Sequence, residues 1–160
     1  MFRRLTIVAL GAFLAAGSCV QIDGGAVEVS WVVHANGRAI TDCTCSDPEI
    51  ASVRIDIVGH GGNIMGTTPC AGRPQCVFSC QRQTGATLFD IPETHGDETY
   101  LIQLVAVDKN GADLPIRAPL APISRTVVRG QPTELEAVTL DAGCAMACET
   151  MNKTGVCARP

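Results

Sequence analysis

Within the segment 26–34, Val27, Val29, Trp31 and Val33 fall on one side of an extended chain, and Glu28, Ser30 and His34 fall on the other. Such period-two alternation is the pattern of a half-buried β-strand, because successive side chains leave a strand on opposite faces. It recurs over 52–58, where Val53, Ile55 and Ile57 oppose Arg54 and Asp56. Strands patterned this way must bury one face against a second layer, and almost no helical periodicity competes with them.

Turn chemistry punctuates the pattern. Asn36-Gly37 ends the first strand and His60-Gly61-Gly62-Asn63 breaks the second, with glycine suited to the left-handed backbone of tight turns. Shorter strands are expected over 76–81 and 86–91, around a Thr84-Gly85 turn. The segment 99–107 is apolar on both faces and predicts a central strand. Its β-branched content and the Asp108-Lys109-Asn110-Gly111 turn favour a strand over a buried helix. Segments 123–129 and 133–140 read as a hairpin around Gly130-Gln131-Pro132. About seven short strands predict an all-β, Greek-key-like β-sandwich over 26–141. Its expected core is Val27, Val29, Trp31, Val33, Val53, Ile55, Ile57, Ile102 and Leu104, with Trp31 central. The tail 142–160 breaks the pattern: Asp141 suits the N-cap of a short helix over 142–151, which would place Cys144 and Cys148 on one face.

The N-terminus carries an address. Arg3 and Arg4 precede an uncharged apolar run over 5–16, which is about 12 residues long where a membrane span needs about 20. Ala16-Gly17-Ser18 then places small residues directly before Cys19. The segment Leu14-Ala15-Ala16-Gly17-Ser18-Cys19 resembles the lipobox of bacterial lipoproteins, with Ala16 where that box usually has Leu, Val or Ile. The resemblance implies a signal peptide over 1–18, acylation of Cys19, and a lipidated tether over 19–25. Val20 follows the cysteine, and the absence of Asp there implies sorting to the outer membrane or cell surface.

The chain has nine cysteines. With Cys19 set aside for lipid, Cys43, Cys45, Cys70, Cys76, Cys80, Cys144, Cys148 and Cys157 form an even set, which in an exported chain reads as disulfides. A Cys70–Cys76 bridge is expected, since two prolines and Gly72 can turn the chain back between them. Cys43 or Cys45 is expected to pair with Cys80. At least one tail cysteine is expected to reach the body of the domain, with Cys43 or Cys45 as the acceptor.

The stretch ending in Ala106-Val107-Asp108-Lys109-Asn110-Gly111, with Tyr100 upstream, resembles the Tyr-x-Val-x-Ala-x-Asp-x-x-Gly strand and turn of Ig-like and transthyretin-like extracellular modules. Across its length the chain is similar to small β-sandwich lipoproteins of Gram-negative envelopes. That resemblance implies a fold and a location but no activity.

Other chemistries find little footing. Loss of Arg3 and Arg4 takes the formal charge from −4 to −6. This balance, with no basic cluster and with Trp31 and Tyr100 each alone of its kind, argues against nucleic acid as a partner. Cys43, Cys45, Cys144 and Cys148 could supply four thiolates to zinc, but their spacings are not those of zinc knuckles and an oxidising compartment favours disulfides. Gly59-His60-Gly61-Gly62 looks like an esterase oxyanion loop, yet no Gly-x-Ser-x-Gly accompanies it, so it reads as a flexible turn. Asp90, Glu93, Asp97 and Glu98 read as a solvated acidic turn rather than a calcium site. His34, His60 and His95 lie far apart. No catalytic residue, metal or cofactor is expected. The expected role is a non-catalytic binding or structural module, held at the membrane by lipid and open to an envelope protein partner. A thiolate metal-binding protein is the alternative, and a hydrolase with an unrecognised site is a more distant one.

Overall fold

Ten strands in two sheets make up the described chain in a computed structural model, which describes residues 22–145. Cys19, Cys148, Cys157 and the expected helix beyond residue 145 lie outside the described residues, and of Cys144 only the backbone is described.

The first sheet is built around β1 (Ala26–Ala35). A tight turn with Asn36 at φ 50° and Gly37 at φ 75° folds β1 back onto β2 (Arg38–Ile40), pairing Ala35 with Arg38. Two successive residues with positive φ suit the right-handed twist of a two-residue hairpin. The chain then passes through β3 (Ser46–Asp47) into the second sheet. There β4 (Ser52–His60) pairs with β5 (Val77–Ser79) and with β7 (Thr99–Val107), which also pairs with β8 (Asp113–Arg125). Between β5 and β7 the chain returns to the first sheet as β6 (Thr84–Ala86), and after β8 it adds β9 (Pro132–Glu134) and β10 (Val138–Cys144).

Both edges of β1 are occupied along its length. Glu28 pairs with Ala86 of β6 and Glu134 of β9, and Val33 pairs with Ile40 of β2 and Leu140 of β10. The pairings with β9 and β10 are parallel. Ala26 faces Pro132 whereas Trp31 faces Val138, so the break between β9 and β10 absorbs one extra residue.

The inner faces of both sheets meet in a single apolar cluster. All nine expected core residues are buried there, and Trp31 is 1% exposed. The Trp31 indole donates to the Cys80 carbonyl at 3.1 Å. On the outer face Val105 is also fully buried, paired in register with Arg54 on one side and Arg117 on the other.

Several expectations need correction. The strands number ten rather than about seven, because five of them have only two or three residues. Segments 123–129 and 133–140 do not form a hairpin. Residues 123–125 end β8, the chain then crosses to the first sheet, and β9 and β10 lie parallel to β1. Thr84 and Gly85 are strand rather than turn, and β6 stops at Ala86 instead of running to 91. Cys76 and Cys80 sit in single 3-10 turns flanking the short β5. Asp141 caps no helix: residues 141–144 continue β10, where Asp141 pairs with His34 and Cys144 with Ser46. Tertiary pairing with β1 and β3 outweighs the weak helix propensity of Ala142-Gly143.

Candidate functional site

Alternation along β4 turns Arg54, Asp56 and Val58 outward, away from the core. Val77 of the edge strand β5 pairs beside Arg54, and Thr68 begins the loop that rises over them. A Cys70–Cys76 disulfide closes that loop, with Cα atoms 5.7 Å apart. Both cysteines are buried with the core, so Ala71, Gly72, Arg73 and Pro74 are held out as a rigid wall. Gly72 has φ 69°, a backbone that favours glycine. Floor and wall enclose a groove of about 550 Å³.

Charge in the groove is nearly all paired internally. Arg54 donates to both oxygens of Asp113, at 2.6 and 2.9 Å, and to both oxygens of Asp56, at 2.6 and 3.2 Å. Arg117 approaches the same two carboxylates at 3.7 and 3.8 Å. The Arg54 guanidinium holds the Asp113 carboxyl below the usual carboxylate range. On the wall, Arg73 pairs with Asp90 at 2.6 Å. What the groove offers a ligand is therefore the exposed apolar surface of Val58 and Val77, bordered by guanidinium and carboxylate groups. Its lining holds one hydroxyl, that of Thr68, and one carboxylate, that of Asp56, which Arg54 engages.

The remaining sequence candidates do not converge. His34 lies in β1 with Nδ1 3.8 Å from Asp141, His60 ends β4, and His95 approaches Glu93 at 3.6 Å. Among the described residues no group of three or more His, Cys, Asp or Glu side chains could hold a metal ion. The four-thiolate arrangement lacks two of its ligands, because Cys43 is bridged to Cys80 and Cys45 is also disulfide-bonded. The expected Cys70–Cys76 bridge is present, and of the two acceptors left open for Cys80 the chain uses Cys43.

In the acidic turn Asp97 is exposed as expected, but Glu98 is not solvated. Glu98 is buried and accepts from the backbone amides of Asn63 at 2.7 Å and His95 at 2.9 Å, which draws its carboxyl below the usual range. Its neighbours are engaged too, Asp90 with Arg73 and Glu93 with Arg129. A Cβ on Gly62, whose φ is 46°, would collide with the Glu98 carboxylate. The Gly59-His60-Gly61-Gly62 segment is thus partly strand and partly a pinned turn.

The Arg54–Asp56–Asp113–Arg117 network escaped the sequence reading. The outward placement of Arg54 and Asp56 was legible from alternation, but Asp113 and Arg117 flank Pro115 in a segment with no periodic signal. Compared with known proteins, the chain matches no family model, no curated protein and no solved structure.

Proposed function

We propose that this chain is a lipid-anchored module of a bacterial envelope, a Greek-key-like sandwich with a binding or structural role rather than a catalytic one. One observation carries the proposal: Cys19 directly follows a charged, apolar and small-residue leader. The Cys43–Cys80 and Cys70–Cys76 bridges support passage through an oxidising compartment. The lack of aspartate after Cys19 favours the outer membrane or cell surface. The similarity to small Ig-like and transthyretin-like envelope lipoproteins fits the same reading.

Mass spectrometry of the mature N-terminal peptide should find an acylated Cys19. Cys19→Ser should abolish the modification and move the protein out of the membrane fraction. Normal maturation and unchanged membrane partition of that variant would refute the lipid anchor.

For a binding role the groove over β4 and β5 is the best-built surface, and an envelope protein segment with apolar side chains suits it. A photo-crosslinker at Val77 should capture such a partner in intact envelopes, whereas one at Lys109 should not. Equal labelling from both positions would remove the groove from consideration.

A further inference from the structure

The stretch joining the anchor to the domain enters at one end of the sandwich and is clamped there. Gly24 donates to the Phe89 carbonyl at 3.0 Å, Gly25 donates to Ile91 at 2.9 Å, and Gly130 donates back to Gly24 at 2.9 Å. A Cβ at Gly24 would strike the Ile91 backbone. Residues 24 and 25 are therefore part of the fold rather than free tether.

Around this clamp the apolar surface points outward. Ile22 is 47% exposed, Leu88 57%, Phe89 39% and Val128 51%. These are half of the eight large apolar side chains exposed among the described residues, and they belong to three segments that the hydrogen bonds of the clamp join. The charges bordering them are mixed in sign: Arg129 pairs with Glu93, and Arg73 with Asp90. Such a surface gains by removing apolar area from water and gains little from a field of one sign.

We propose that this end of the domain docks on the lipid bilayer, with Ile22, Leu88, Phe89 and Val128 seated among the headgroups and upper acyl chains. The inference rests on acylation of Cys19. From Cys19 to Ile22 the chain spans three residues, so even fully extended it reaches only about 10 Å. That is of the order of the depth at which interfacial apolar side chains sit. Once the acyl chains are inserted, the clamp cannot stand far from the membrane, and the nearest face it can present is the apolar one. The short tether thus selects lipid over a protein partner as the occupant.

The test uses acylated full-length protein in phosphatidylcholine vesicles with brominated acyl chains, which quench tryptophan emission on contact. The parent protein gives the baseline, since Trp31 is buried in the core. The emission added by Phe89→Trp should be largely lost in brominated vesicles. The emission added by Leu120→Trp, at a fully exposed apolar position midway along the edge strand β8, should persist. Val128→Trp repeats the measurement should Phe89→Trp fail to fold. If the protein floats with the vesicles but neither clamp probe is quenched, or if Leu120→Trp is quenched equally, docking is wrong and anchoring stands. Protein that neither carries an acyl mass nor floats would overturn the anchor, and the docking with it.

Discussion

The indole N–H of Trp31 reaches the carbonyl oxygen of Cys80 across 49 residues of sequence, and Cys80 is itself bridged to Cys43. The only tryptophan therefore ties β1 in one sheet to the 3-10 turn that follows β5 in the other, at the point where a disulfide already fixes that turn. Trp31→Ala should cost about 3–5 kcal/mol through loss of aromatic volume from a packed core. Trp31→Phe keeps much of the volume and removes only the indole donor, since the Cys80 carbonyl still accepts from the Gln83 amide, and should cost about 0.5–1.5 kcal/mol. Denaturant unfolding with the disulfides intact measures both. A near-neutral Trp31→Ala would show that the core does not depend on this side chain.

Glu98 should make the protein acid-sensitive. Its folded-state pKa lies below the ordinary 4.5, because two loop amides, of His95 and Asn63, hydrogen-bond the charged form. A carboxyl depressed in this way contributes stability in full above its unfolded value, and the contribution is lost as pH falls through the folded value. Asp42, Asp108 and Asp113 are shifted in the same direction, so the whole protein should lose stability below about pH 4.5. Glu98→Gln should lower stability at neutral pH and flatten the acid limb. A curve of unchanged slope would rule out the carboxylate as a contributor.

The Arg54–Asp113 pair should couple energetically, though modestly. Their side chains are 25% and 40% exposed, and partly exposed pairs are worth up to about 1 kcal/mol. A double-mutant cycle with Arg54→Met and Asp113→Asn should give a coupling of that order that shrinks with added salt. A coupling of zero would leave Asp56 as the carboxylate that holds Arg54.

Non-reducing peptide mapping should recover Cys70–Cys76 and Cys43–Cys80. It should also place Cys45 with a cysteine of the C-terminal segment. Cys45 is disulfide-bonded, while Cys43, Cys70, Cys76 and Cys80 are all taken by one another. The amide of Ala145 already donates to the Cys45 carbonyl at 2.9 Å, so the two segments run side by side. A Cys45 peptide free of Cys144, Cys148 and Cys157 would contradict this.

Wherever a side chain's burial follows from its own strand, the sequence was sufficient. Alternation alone selected the inward residues of β1 and β4, while β7, apolar on both faces, was legible as a central strand whose Ile102 and Leu104 are buried. The Asp108 turn formed as read, with the Asp108 carboxylate accepting from the amides of Asn110 and Ala112. What remained hidden depends on partners remote in sequence. The length of β8 was masked by Pro115, Pro119 and Pro122, which the sheet tolerates because β8 is an edge strand. Near Pro119 the register between β7 and β8 shifts, and Gln103 of β7 bridges the gap by donating to the carbonyls of Pro119 and Leu120. Parallel pairing of β9 and β10 with β1 leaves no local signature, and a hairpin was the natural local reading of the same residues. Glu98 was misread for a related reason: its amide partner on Asn63 lies 35 residues upstream.

The placement of β1 between early and late segments sets an order of events. Its neighbours β2 and β6 are available soon after it is made, but its other edge stays open until residues 132–144 arrive. Contacts that close loops of this size are slow to form, because chain entropy must be surrendered before they contribute any stability. The first of the described strands thus has both edges filled only when the last of them is in place. Until then the chain carries an open, apolar strand edge able to pair with a neighbour, so its most vulnerable period for aggregation falls before its final residues are in place.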